Sequence, residues 1–307
     1  DLGQELERLG CDGIEGVWGG EDLPKDLPAE LILGYHLIFY PDWLDFYRDD
    51  RAALKQKFGS LEVTASFYGG LGPDTLLEQY RADLRRAVNL GARYVVFHVS
   101  DVSLEEGYTY RWLHTNQEVI DAAVEVVNLI LGEERWPFEF LVENQWWPGF
   151  TFTEPEETAR LLEGIRFAGK GILLDTGHLM NACTELKTEA EGADYIRRML
   201  NRHGSLAKWV RGVHLHQSLS GAYVKAHTGS LPAGLPEDYM ERFGVSYQHI
   251  LQIDQHRPWT DPAILSVLEQ IEPRYLTHEL SSRGRMARAE AVSVQTRLLQ
   301  QGGRMRV

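Results

Sequence analysis

The 307-residue chain, 43% apolar, is long enough to bury one large α/β core and reads as a single domain over residues 1–307. Two cysteines, Cys11 and Cys183, exclude a disulfide framework and point to a reducing, cytoplasmic setting; no apolar run is long enough to span a bilayer and no basic, apolar leader is evident. A formal charge of −14, from 45 acids and 31 bases, argues against nucleic acid as a partner, and Arg283, Arg285, Arg288, Arg304 and Arg306 read as a solvated helix face.

In chain order, Leu2 to Leu9 reads as a helix, Gly13 to Trp18 as a strand and Leu31 to His36 as the next strand. Leu61 to Phe67, followed by Gly69 and Gly70, reads as a further strand-like insertion. From there a regular grammar sets in. Leu76 to Leu90 carries apolar residues at helical spacing, Gly91 stops it, and a strand ends at His98. Helix, glycine and strand recur through Gly132 to Glu143, through Gly169 to His178, and through Gly204 to His216. Pro262 to Ile271 then leads through Pro273 to Glu279, and a closing helix spans about Arg288 to Gln300. Alternating units of this kind imply a parallel sheet, and their number implies an α/β (β/α)8 TIM barrel. Counting back makes Gly13 to Trp18 strand two, so strand one is missing or irregular at the N-terminus.

Five strands deliver a metal-type ligand at or just past their C-terminal ends, His98, Glu143, Asp175 with His178, His214 with His216, and Glu279, and the Leu31 to His36 strand ends on another, His36. Buried carboxylates and imidazoles need partners or a metal, and the strand ends of a parallel barrel converge on one face. His216 lies two residues past His214 and so points the same way, whereas His278 faces away from Glu279. Glu15 reads as a polar contact at the barrel mouth. His114, His203, His249 and His256 lie in polar or helical surroundings and read as surface residues.

The stretches Val142-Glu143-Asn144, Leu174-Asp175-Thr176-Gly177-His178, Val213-His214-Leu215-His216 and His278-Glu279-Leu280 resemble, in order and placement, the xylose isomerase-like TIM barrels. That group includes sugar isomerases and epimerases as well as the endonuclease IV type of DNA-repair enzyme, in AP endonuclease family 2. The resemblance implies that Glu143, Asp175, His214 and Glu279 form a metal quartet, with His178 beside it as a catalytic or substrate ligand or a ligand to a second metal. In the endonuclease branch further histidines hold a three-zinc cluster, and His36, His98 and His227 stand at comparable places. That branch has an aspartate two residues before its loop histidine, where this chain has Lys225, which would repel a third cation.

Two glutamates, an aspartate and a histidine suit Mn²⁺, Mg²⁺ or Co²⁺ as well as Zn²⁺, and added histidines tilt the set toward zinc. The leading expectation is a divalent-metal-dependent isomerase or epimerase. It would act on a sugar, sugar acid, polyol or sugar phosphate, with Glu143 and Glu279 moving protons beside a metal-stabilised enediolate. The alternative is a zinc-dependent, endonuclease IV-like phosphodiesterase acting at abasic DNA sites; a third is a sugar-binding barrel without catalysis. Trp18, Tyr40, Trp146 and Trp147 are expected to stack on the substrate, and His216 and Lys225 to bind its polar groups. The expected partner is a small sugar-like molecule, and a homo-oligomer is compatible with the sequence.

Overall fold

The computed structural model describes residues 2–18 and 28–303. Short runs rich in β-branched and aromatic residues form seven strands: β1 (Ile14–Val17), β2 (Ile32–His36), β3 (Tyr94–His98), β4 (Glu139–Glu143), β5 (Lys170–Asp175), β6 (Val210–His214) and β7 (Tyr275–Thr277). All neighbours pair in parallel and the order in space is the order in sequence, the topology of a TIM barrel. Around it run α1 (Leu2–Leu9), α2 (Leu44–Tyr47), α3 (Arg51–Phe58), α4 (Leu61–Tyr68), α5 (Pro73–Asn89), α6 (Leu104–Thr109) and α7 (Asn116–Leu131). The second half adds α8 (Pro155–Gly164), α9 (Thr176–Asn181), α10 (Glu189–His203), α11 (Gly221–His227), α12 (Tyr239–Ile253), α13 (Ala263–Ile271) and α14 (Arg285–Gln301). Among the described residues no helix is long and apolar enough to cross a membrane.

Strand parity builds the site. On β3 to β5, Val95, Phe97, Phe140, Val142, Ile172 and Leu174 face outward into the main core under the helices. The alternate residues Tyr94, Val96, Leu141 and Leu173 pack with one another inside the barrel. Two residues further along the inward face stand His98, Glu143 and Asp175. The same parity carries His36 after Gly34 and His214 after Gly212, so an apolar floor is topped by a layer of ligands.

Among the described residues the barrel is seven-stranded and nearly closed, with β1 and β7 at its two edges. A side chain ties that seam together. The Tyr94 ring crosses the interior and stacks on Tyr275 at 4.2 Å between centroids, and its hydroxyl lies 2.8 Å from Glu15 Oε2 and 3.0 Å from Thr277 Oγ1. Gly34 makes this crossing feasible, because a Cβ there would lie 2.2 Å from the tyrosine ring.

The segment Leu61 to Phe67 is helical, contrary to the strand-like reading. The Ser60 side chain accepts from the Val63 amide at the N-terminus, Gly69 ends the helix in the left-handed region at φ 77°, and Thr64 and Tyr68 are buried along one side. Local capping outweighs the β propensity of Val63 and Phe67. The insertion α2 to α4 is clamped to the barrel by a buried charge cluster. Lys57 Nζ lies 2.7 Å from both Asp42 Oδ1 and Asp45 Oδ2, and Asp101 Oδ1 accepts from the Trp43 and Leu44 amides at 2.7 and 2.8 Å. His114 Nε2 adds a contact of 3.2 Å to Asp45 Oδ1.

Candidate metal centre

Among the described residues, three groups bring ligand atoms within 4.8 Å of one another. The first is His36, His98 and Glu143. The two Nε2 atoms are 3.0 Å apart and lie 3.3 and 3.2 Å from Glu143 Oε2. His36 Nδ1 donates to the Leu37 carbonyl at 2.8 Å, which leaves a lone pair on the Nε2 that faces the group. The second is Glu143, Asp175, His214 and Glu279, where His214 Nδ1 lies 2.8 Å from Glu279 Oε2, 3.6 Å from Glu143 Oε1 and 3.8 Å from Asp175 Oδ2. The third is His178, His216, Asp254 and His256: Asp254 Oδ2 is 3.3 Å from His178 Nε2 and 2.5 Å from His256 Nε2.

The groups are joined. Glu143 turns Oε2 to the first and Oε1 to the second, and Asp175 Oδ2 lies 2.9 Å from His216 Nε2 as well as beside His214. Glu143, Asp175, His214 and His216 have no exposed surface. Five atoms here, Glu143 Oε1, His214 Nδ1, His216 Nδ1, Asp254 Oδ1 and Glu279 Oε2, are buried without a hydrogen bond. Some of these face each other closely, as His214 Nδ1 and Glu279 Oε2 do, yet not along donor directions. Buried ligand atoms left without a hydrogen bond, in residues whose ligand atoms gather within 4.8 Å, fit a cation placed among them.

Electrostatics point the same way. Burial pushes the Glu143 carboxyl up, but His98 and His214 outweigh it and hold it well below the usual carboxylate range. Burial pushes His214 down, yet Glu15, Glu279 and Glu143 hold it well above the ordinary imidazole value. His256 is likewise pushed up to about 9 against burial by Asp254. The anionic excess that draws protons onto these imidazoles is the field that draws a divalent cation.

A supporting layer fixes the ligands. Glu15 places both carboxylate oxygens 3.0 Å from His214 Nε2, so Nδ1 is the nitrogen turned to the second group. The Asn144 side chain brackets the Asp175 backbone at 2.8 and 3.1 Å, and the Asn144 carbonyl lies 3.0 Å from His178 Nδ1. Asp175 Oδ1 also caps α9 through the His178 amide at 2.6 Å.

Two expected residues are not brought here. His227 is exposed on α11, stacked on Tyr223 with Nδ1 3.0 Å from the Tyr223 carbonyl, and Lys225, about half exposed, pairs with Glu185 at 2.7 Å. The aspartate and histidine two residues apart stand at Asp254-Gln255-His256, past α12, which intervenes between the loop and the site. His256 reaches inward because its backbone adopts φ 47°. It is therefore part of the cluster and not a surface residue. His203 and His249 are also buried, the first stacked on Phe152 at 3.9 Å and the second on Tyr108 at 4.3 Å, and His114 belongs to the Lys57 cluster. Tyr40, Trp146 and Trp147 line the cavity of about 2160 Å³ that leads to the ligands, whereas Trp18 packs on the main core outside that lining.

The chain belongs to the family described as xylose isomerase-like TIM barrel, whose model matches residues 4–293. Members of this family are enzymes, and they typically bind divalent metals. No curated protein sequence matches the chain. Its fold is similar to that of a D-tagatose 3-epimerase-like protein, at TM-score 0.55 and 16% identity over 98% of this chain and 92% of that one. It is also similar to endonuclease IV from Thermus thermophilus, at 0.52 and 18% over 97% and 93%. The third comparison is mannonate dehydratase from Streptococcus suis serotype2, at 0.52 and 13% over 99% and 91%. At these identities the likeness concerns the fold.

Proposed function

We propose that the chain is a phosphodiester hydrolase working through a cluster of three divalent ions, zinc by preference. The carrying observation is that both oxygens of Glu143 are committed to different ligand groups. A carboxylate so placed would serve two metal sites and would not be free to move a proton at carbon, the role an isomerase asks of it. Glu143, Asp175, His214 and Glu279 would hold the central ion; His36 and His98, with Glu143, would hold a second, and Asp254, His178 and His256 a third. Lys225, the sequence feature that favoured an isomerase, stands away from these residues. Bound at these residues, divalent ions would supply a water of lowered pKa and neutralise charge developing on a phosphoryl group.

Charge supports the reading. Glu15, Glu143, Asp175, Asp254 and Glu279 bring five negative charges to one buried place, and three divalent ions bring six positive ones, a balance that favours an anionic substrate. Nitrogen-rich ligands around His36, His98, His178 and His256 favour zinc over magnesium. Tyr40, Trp146 and Trp147 would cover the flat or sugar-like body of the substrate, and the formal charge of −14 favours a small phosphodiester over duplex DNA.

One observation favours an isomerase or epimerase as the second reading: the Glu279 side chain is 28% exposed and lines the cavity, where it could meet a carbon acid. Hydrolysis of bis(4-nitrophenyl) phosphate by zinc-loaded protein, lost on chelation and in Glu143→Gln, is the expected result. No cleavage of that ester or of an abasic oligonucleotide at low salt, together with solvent deuterium entering a sugar, would move the assignment to an isomerase.

A further inference from the structure

The third ligand group differs from the first in the number of donors that the chain supplies. The first has three, His36, His98 and Glu143; the second has four, but shares Glu143 with the first and has Asp175 2.9 Å from His216; the third has four that no other group uses, because His216 joins His178, Asp254 and His256. A tetrahedral zinc site with three protein ligands keeps a position for water or substrate, and one with four is closed. Resting on the metal-cluster reading above, we propose that His216 is the fourth ligand of a closed third site, so that this ion is structural and tightly held while water and substrate exchange at the first.

The surroundings of His216 are shaped for that role. Its side chain is fully buried, Nε2 lies 2.9 Å from Asp175 Oδ2, and Nδ1 is buried with no partner. A histidine buried with one nitrogen unmet is costly unless something else completes it. Gly177 makes the space: a Cβ at that position would lie 2.0 Å from the His216 ring. The backbone is pinned as well, with Trp259 Nε1 donating to the His216 carbonyl at 2.8 Å and Thr176 Oγ1 at 2.6 Å. The ring stacks on His256 at 4.2 Å, which holds two of the four donors side by side.

The donor count assigns distinct outcomes to metal removal. Full-length protein loaded with Zn²⁺ is dialysed against graded chelator, and zinc per chain is counted by mass spectrometry. The wild type is expected to keep one equivalent after the others have gone. In His216→Asn that last equivalent leaves at a chelator concentration at least about 10-fold lower, whereas in His98→Asn an earlier equivalent leaves and the last one stays. Should the His216 variant not fold, as judged by circular dichroism, the wild type loaded with Co²⁺ decides the matter. The last retained ion should show the intense visible absorption of four-coordinate cobalt, and a weak six-coordinate band there overturns the proposal. A last equivalent lost in His98→Asn, or unmoved in folded His216→Asn, overturns it too. The hydrolase reading fails separately, when the phosphodiester is not cleaved by protein whose metals are all in place.

Discussion

Two buried polar clusters follow the C-terminal ends of the strands, and they differ in what their atoms lack. Around Lys57, one ammonium meets Asp42 and Asp45 at 2.7 Å each, and Asp101 is bonded by two backbone amides. Its unbonded atoms, His114 Nε2 and Asp101 Oδ2, still face each other at 3.9 Å, with Asp45 at 3.2 Å from the imidazole. Around Glu143 there is no lysine or arginine in the three groups, and five buried atoms are left without hydrogen bonds. Burial of charge is common to both. The distinguishing property is whether the chain supplies its own counter-charge, and only the second cluster calls for cations from outside.

The largest effect that would break this contrast is at Glu143. Glu143→Gln is expected to remove at least two metal equivalents and lower hydrolysis on the order of 10³-fold or more, with the melting temperature of metal-free protein nearly unchanged. Metal counting and apo-protein melts read this directly. Lys57→Met should do the reverse, because it strands two buried carboxylates: a loss of about 3 kcal/mol in chemical unfolding, with the metal count unaltered. Equal metal loss in both variants would erase the distinction between the clusters.

Glu15 sharpens it further, since it belongs to none of the three ligand groups and holds His214 while accepting from Tyr94. Glu15→Gln should weaken zinc binding by about 10- to 100-fold, with Glu15→Asp recovering part of the loss, as read by competition with a chromogenic chelator. The smallest effect is at His114, whose imidazole is raised by the Asp45 carboxylate 3.2 Å away, with burial opposing. A raised histidine stabilises fully below the unfolded value of about 6.5 and loses this as pH rises through its folded value. Burial raises Asp45, but His114 and Lys57 bring it down to about 2, so its share is fully present above about 3.8 and is lost as pH falls from there through about 2. His114→Ala should therefore cost about 1 kcal/mol near pH 5.5 and less near pH 8.5 in paired thermal melts.

Much of this was legible in the chain. Strand ends at His98, Glu143, Asp175, His214 and Glu279 were readable because an apolar run that stops on a ligand is a local pattern, and period-two parity then fixes which face the ligand takes. Glu15 carried the same signal, a carboxylate of inward parity on β1, but its short strand is weakly apolar. Asp254 and His256 were not readable from position. Their spacing was the right cue, yet α11 and α12 lie between β6 and that loop, and Lys225-Ala226-His227 offered a decoy nearer the strand. The strand-like look of Leu61 to Phe67 misled for a related reason, because helix caps at Ser60 and Gly69 decide the segment and not its propensity.

By itself, then, the sequence determined a parallel α/β barrel, and its strand-end motifs carried the resemblance that singled out Glu143, Asp175, His214 and Glu279, because periodicity, glycine stops and strand-end residues are properties of neighbours in the chain. Tertiary structure alone decided how many ligand groups there are and which loop closes the third. A donor atom's partner lies wherever the fold delivers it, 41 residues away from Asp175 to His216 and 76 from His178 to Asp254. Whether a buried atom is met or unmet is settled only in three dimensions.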